Sequence, residues 1–209
     1  MAQKKTTRKK KKTKKKGSIV TLFWLLLLSV VGAVALLFLL ASLGVFGSLP
    51  DETSLENPEK NLATEIISTD GKVIGKFYKE NRTPVAFQEL PEHLKNALLA
   101  TEDIRFYDHS GIDIRGTLRA AVYLGSKGGA STISQQLAKQ LFTDQASRNK
   151  FQRGIQKVKE WIIATRLERR YTKNEILTMY FNEYDFLNQA IGIESASNIY
   201  FDKAPSQLN

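Results

Sequence analysis

Apolar residues follow two different patterns along this chain. From Ile19 to Phe46 they run without a single charge, dominated by Leu, Val and Ala. A helix over 19–46 would reach roughly 42 Å at ~1.5 Å per residue, more than the ~30 Å hydrocarbon core of a bilayer. The apolar core of a cleaved signal peptide is only ~7–15 residues long. The run therefore predicts an uncleaved transmembrane anchor. Beyond about residue 60 the apolar positions become periodic. Ala63–Ile67 and Lys72–Tyr78 flank Asp70-Gly71, which predicts a β-hairpin. Leu94, Ala97 and Leu98 fall at i, i+3 and i+4 and predict a helix leading into Glu102. Ile133, Leu137 and Leu141 share the face of a second helix, capped by Ser131 or Thr132. Phe151, Ile155, Val158 and Ile162 mark a third, longer one. Thr172 and Glu175 form a capping box that opens a fourth, with Ile176, Met179 and Tyr180 turned inward. The pattern predicts a mainly α domain over 61–209 with a small β-hairpin at its start. A polar linker, 47–60, precedes it and carries Pro50, Pro58 and the acids Asp51, Glu52, Glu56 and Glu59.

Charge changes the picture at one end only. The chain of 209 residues has a formal net charge of +10. Ten of its 31 basic residues lie in 1–16, and the other 21 match the 21 acids. The excess is therefore a tail over 1–18, not a basic face. No aromatic-basic interleaving accompanies it, which argues against nucleic-acid binding. Positive flanks stay in the cytoplasm, so the domain after about Gly47 is expected outside it. The chain has no cysteine, which removes disulfides and thiolate metal sites.

Several clusters could carry chemistry. Glu102, in Thr101-Glu102-Asp103 with Phe106, His109 and Asp113 after it, ends an apolar helix. A carboxylate at the edge of a core loses water and becomes a better base. The alternative is a helix-end acid paired with Arg105 or Arg115. Gly128-Gly129-Ala130-Ser131-Thr132 opens a helix bearing Gln135, Gln136 and Lys139. Free N–H groups there suit an anion, although a capped helix after a Gly-rich loop needs no ligand. Gln156 and Glu160 are i, i+4 neighbours beside Lys157 and lie off the expected apolar stripe, as a solvated face also would. Ile176–Asn182 and Gly192–Phe201 read mostly as helix packing.

In this order the five clusters resemble the glycosyltransferase domain shared by class A penicillin-binding proteins and monofunctional peptidoglycan glycosyltransferases. The likeness runs from about Ile66 to the last residues. Its most specific stretches are Thr101-Glu-Asp with Phe106, His109, Gly111 and Asp113, and Gly129-Ala-Ser-Thr-Ile-Ser-Gln-Gln-Leu-Ala-Lys139. Two positions depart from the family pattern. Gln156 replaces an arginine, whose charge Arg153 could supply one turn earlier. Leu187 replaces a glycine, and a leucine disfavours positive φ, so that loop is expected to differ.

The resemblance implies a lysozyme-like helical fold that continues past Asn209 in relatives. It also implies a reaction: polymerisation of lipid II into β-1,4-linked glycan with release of lipid pyrophosphate and inversion at the anomeric carbon. Glu102 matches the general base and Glu160 the second motif carboxylate, which orients Lys157 or meets a divalent ion. Lys139, Lys157 and Arg148 match cations near the pyrophosphate. Asp103, Phe106, His109, Ser131, Thr132, Gln135, Gln136 and Asn182 match substrate-binding positions. No tightly bound cofactor is implied beyond a divalent cation, magnesium or manganese, travelling with the pyrophosphate; metal ligands stay unassigned. The implied partners are lipid II, the growing lipid-linked strand, the membrane and other cell-wall synthesis proteins, with no nucleic acid. The implied location is the plasma (inner) membrane, crossed once, with the amino terminus cytoplasmic. A lysozyme-like glycan hydrolase would share the helix-end Glu but has no use for Gln-Gln-x-x-Lys. A non-enzymatic, membrane-tethered wall-binding protein would need neither.

Overall fold

The structure is a computed structural model that describes residues 17–56, 64–69, 73–77, 83–123, 126, 128–143 and 149–208. The Asp70-Gly71 turn and Arg148 fall outside the described residues. The chain divides into two compact units, 1–40 and 41–209.

Helix α1, Gly17–Ser42, contains the described part of the first unit. Its stretch Ile19–Ser42 has 24 residues and a mean hydropathy of 2.8, long and apolar enough to cross a membrane. The helix ends four residues before the apolar run does, where Gly44 takes φ +77.

The second unit is mainly helical. After the short α2 (Glu52–Glu56) come two antiparallel strands, β1 (Thr64–Ile67) and β2 (Val73–Phe77). Thr64 faces Phe77 and Ile67 faces Val73, with a register shift between Ile66 and Ile67. Among the described residues six α-helices follow: α3 (Glu92–Glu102), α4 (Ile114–Val122), α5 (Ile133–Phe142), α6 (Lys150–Arg170), α7 (Lys173–Glu183) and α8 (Ile193–Phe201). Thr172 and Glu175 form the expected capping box of α7, with Glu175 Oε2 accepting from the Thr172 N–H at 2.7 Å. Of the two candidate caps for α5, Thr132 holds the position and accepts from the Gln135 N–H.

The core lies where α5, α6 and α7 meet. Ile133 and Leu137 from α5, Ile163 and Leu167 from α6, and Ile176 and Leu177 from α7 are all buried. Each such side chain stabilises the fold by about 1.5–3 kcal/mol. On α3, Leu94, Leu98 and Leu99 pack against this core while Ala97 is exposed.

The long helix α6 turns a different face inward from the one its apolar spacing predicts. Phe151 is 70% exposed, whereas Glu160, Ile163, Ala164 and Leu167 are buried. The first two turns of α6 bury no side chain, and Phe151 has little to cover it among the described residues. Residues 47–56, which the sequence suggests are linker, also join the fold. Leu55 enters the core, Tyr171 donates its hydroxyl to the Leu55 carbonyl at 2.6 Å, and Arg170 pairs with Glu56 at 2.8 Å.

After α7, the chain reverses through Leu187, Asn188 and Gln189, all at positive φ. Leu187 itself sits at φ +69, so leucine does adopt the left-handed region here. Local bonds hold it: its N–H donates to Asp185 Oδ1, its carbonyl accepts from the Ala190 N–H, and the Tyr200 hydroxyl donates to the Phe186 carbonyl.

Candidate active site

Three helices bring the motif residues together. The last residue of α3 is Glu102, the first turns of α5 carry Gln135, Gln136 and Lys139, and the first half of α6 carries Arg153, Gln156, Lys157 and Glu160. Glu102, Ser131 and Gln136 line two adjoining cavities. One, of about 310 Å³, extends toward Arg105, Asp113 and Arg119. The other, of about 430 Å³, extends toward Lys139, Arg153, Lys157 and Glu160.

Glu102 is exposed, with Ala100 and Thr101 beside it on the last turn of α3 also exposed, so the loss of water expected at a core edge does not occur. One carboxylate oxygen, Oε2, accepts from Gln136 Nε2 at 2.7 Å. The other oxygen has no protein donor among the described residues. Gln136 Oε1 in turn accepts from the Tyr180 hydroxyl at 3.0 Å. Burial pushes the Tyr180 phenol far above its ordinary range, with the Glu102 charge and Tyr184 adding to it. It is therefore a neutral donor at any working pH.

Glu160 departs from the solvated charge that a polar helix face suggests. It is 7% exposed and accepts from Lys157 Nζ at 3.0 Å. Lys157 Nζ also donates to Ser131 Oγ at 2.9 Å, tying α6 to the loop before α5. Lys139 and Arg153 are exposed on the same cavity. Arg153 thus stands beside Gln156, on the wall from which the family's arginine is missing. Three cations face two carboxylates there, a balance that suits an anionic group.

Several other candidates lie deeper. Asp103 is buried and accepts from the Ile133 N–H at the start of α5 at 3.1 Å. His109 Nδ1 accepts from the Gly111 N–H, which leaves Nε2–H to donate to Asp103 at 3.0 Å. Phe106 is fully buried against the Lys173 ammonium, 4.3 Å from its ring centre. Phe106 and His109 line neither cavity. Thr132 and Gln135 are buried and both donate to the Gly111 carbonyl. Gly111 has φ +91 and lies so close to Ala164 that a Cβ would sit 3.0 Å from its carbonyl, which explains a glycine there. Together these residues brace the turn behind Glu102 against α5 and α6. Asn182 stands apart: its amide clamps both backbone groups of Val85, at 2.9 and 3.0 Å.

Two further contacts went unread in the sequence. Arg105 pairs with Asp113, and Tyr180 reaches the site through Gln136. A tyrosine on the inward stripe of α7 carries a hydroxyl that needs a partner once buried, which is the available signal. Burial works to raise the Asp113 carboxyl, but the Arg105 hydrogen bond, the Gly116 N–H and the Arg105 charge outweigh it and hold it below the usual carboxylate range. Among the described residues no group of three or more acidic or histidine side chains is placed to hold a metal ion.

Comparison with known proteins bears on the family of the chain. The transglycosylase family model matches residues 70–209. Penicillin-binding protein 1A of Pseudomonas aeruginosa is 36% identical over 185 residues, which cover 87% of this chain and 22% of that protein. Penicillin-binding protein 1A of Escherichia coli K12 is 37% identical over 164 residues, covering 77% and 19% respectively. Penicillin-binding protein 1F of Bacillus subtilis is 39% identical over 150 residues, covering 70% and 20%. The chain spans about a fifth of the length of these curated relatives. With two thirds of its residues inside the family model and these identities across most of its length, the chain belongs to the transglycosylase family.

Proposed function

We propose that the domain is a peptidoglycan glycosyltransferase that polymerises lipid II at the outer face of the plasma membrane, held there by α1 with the basic tail in the cytoplasm. One observation carries the reading: a single cleft combines an exposed carboxylate, Glu102, tethered through one oxygen, with the cations Lys139, Arg153 and Lys157.

The chemistry follows from what each partner lacks. The acceptor's 4-hydroxyl is a weak nucleophile, so Glu102 takes its proton through the untethered oxygen as the new C–O bond forms. The bond between the anomeric carbon and the pyrophosphate oxygen breaks, and its electron pair leaves with the pyrophosphate. That group needs positive charge more than a proton. Lys139, Arg153 and Lys157 supply it, with Glu160 and Ser131 holding Lys157 in place. Attack opposite the leaving group inverts the centre and gives a β-1,4 link. A hydrolase would instead need a proton donor for a poor leaving group.

The lining suits the anion directly. A magnesium or manganese ion would come as a passenger on the pyrophosphate, because the nearby Glu160 is already bound to Lys157.

The test is polymerisation of lipid II by the full-length protein. Glu102→Gln should lower the rate by about 10²–10⁴-fold with little change in substrate binding. Lys139→Ala should weaken binding far more than it lowers the melting temperature, since an exposed lysine contributes little to folding. Near-normal synthesis by folded Glu102→Gln protein rules out this base. Cleavage of finished glycan without polymer growth would make the enzyme a hydrolase.

A further inference from the structure

The hydrogen bond to Glu102 has a second link behind it. The Tyr180 hydroxyl donates to Gln136 Oε1 at 3.0 Å, and Gln136 Nε2 donates to Glu102 Oε2 at 2.7 Å. The three residues come from α7, α5 and α3, so one line of bonds crosses three helices.

The direction of that line is fixed by chemistry. A carboxylate only accepts, so the amide must turn its NH₂ toward Glu102. Its carbonyl then faces Tyr180 and needs a donor. A phenol kept neutral by burial is such a donor at every pH at which the enzyme works. The reversed amide would set a carbonyl oxygen against the carboxylate and is repelled.

Tyr180 is also the stiffest of the three. It is 3% exposed, and its ring packs on Tyr184 at 5.3 Å and on Phe181 at 6.4 Å between centres. Gln136 is only partly buried and Glu102 is exposed. An exposed glutamate on the last turn of a helix explores several rotamers unless something holds it. The hydrogen-bonded route from the packed Tyr180 to Glu102 among the described residues runs through the Gln136 amide.

We propose that Tyr180 is a positioning residue for the reaction: through Gln136 it fixes the Glu102 side chain so that one oxygen stays tethered and the other faces the acceptor hydroxyl. This rests on the reading of Glu102 as the base. It adds that the base is aimed by a residue that touches no substrate.

A double-mutant cycle in the full-length protein, with lipid II as substrate, tests it. Tyr180→Phe keeps the ring and its packing. It should lower turnover about 5- to 20-fold, the scale of one lost hydrogen bond and a loosened catalytic group, with KM changed less than about twofold. Gln136→Leu should lower turnover at least as much. The decisive arm is the double variant, which should turn over no more slowly than Gln136→Leu alone, because the route from Tyr180 is already cut. Thermal melts of every variant exclude loss of folded protein as the cause. Two results overturn the proposal: Tyr180→Phe turnover within about twofold of the parent, or a double variant whose loss multiplies the two single losses. Glu102→Gln, assayed alongside, separates this from the base reading. If it retains near-normal turnover, the base assignment fails; if it is inactive while Tyr180→Phe is normal, only the positioning role fails.

Discussion

Lys157 Nζ lies 2.9 Å from Ser131 Oγ, so a cation from the middle third of α6 is fastened to the loop that opens α5. With Glu160 at 3.0 Å on its other side, the ammonium has two fixed partners although its side chain is partly exposed. A lysine held at two points acts as a placed charge, not as a swinging one.

Ser131→Ala should therefore loosen that charge without removing it. A hydrogen bond to a charged group contributes about 1.5–3 kcal/mol, only part of which is felt at a half-exposed site. The expected result is a KM for the proposed lipid-linked substrate raised about three- to tenfold, with the melting temperature nearly unchanged. Steady-state kinetics over a range of substrate concentrations checks this. An unchanged KM would mean that Glu160 alone is enough to hold Lys157.

The Asp113 carboxyl, held low by Arg105 and the Gly116 N–H against the opposing effect of burial, ties stability to pH. A carboxyl depressed in the folded state binds fewer protons there than when unfolded. Its contribution is therefore complete above the ordinary value of about 3.9 and is lost as pH falls through the lower folded value. Asp113→Asn should melt about 2–5 °C below the parent at neutral pH. The gap should narrow once the pH drops below about 4. Melting curves at a series of pH values would show it; a gap that is constant down to the acid limit would assign the loss to packing instead.

Leu187 at φ +69 carries the steric cost of a left-handed residue with a Cβ, about 1–2 kcal/mol. Its side chain is 69% exposed and repays little of that by burial. Leu187→Gly should raise stability by about 0.5–1 kcal/mol after the greater freedom of an unfolded glycine is deducted. Urea denaturation measures the difference. A less stable glycine variant would show that the leucine side chain itself holds the loop.

Local signals in the sequence transferred well to the structure, and signals that depend on partners did not. The Thr172–Glu175 box and the Ile133–Leu137 face each involve residues within one or two turns, and both stand as expected. Apolar spacing marked α6 but not its buried side: Phe151 is mostly exposed, while Glu160 is buried in the wall of the cleft. On α4, Ile114, Leu118 and Val122 share one face yet all point outward, so spacing alone would have misjudged that helix too. The cleft was visible as motifs because its residues sit on three short stretches. The link from Tyr180 to Gln136 spans 44 positions and two helices. Asn182, matched to the site by motif, clasps Val85 from 97 positions away, a contact no local signal announces.

The openness of Glu102 sets a limit on what the rest of the protein has to do. Every sugar bond made under the proposed reaction deposits one proton on that carboxylate, and the next bond cannot form until it has gone. A buried base would need a wire of ordered groups to discharge it, and the wire would have to reset between sugars. Glu102 ends its helix in contact with solvent, so bulk water can collect each proton as it arrives. Successive additions to one strand then call for no dedicated proton path through the protein interior.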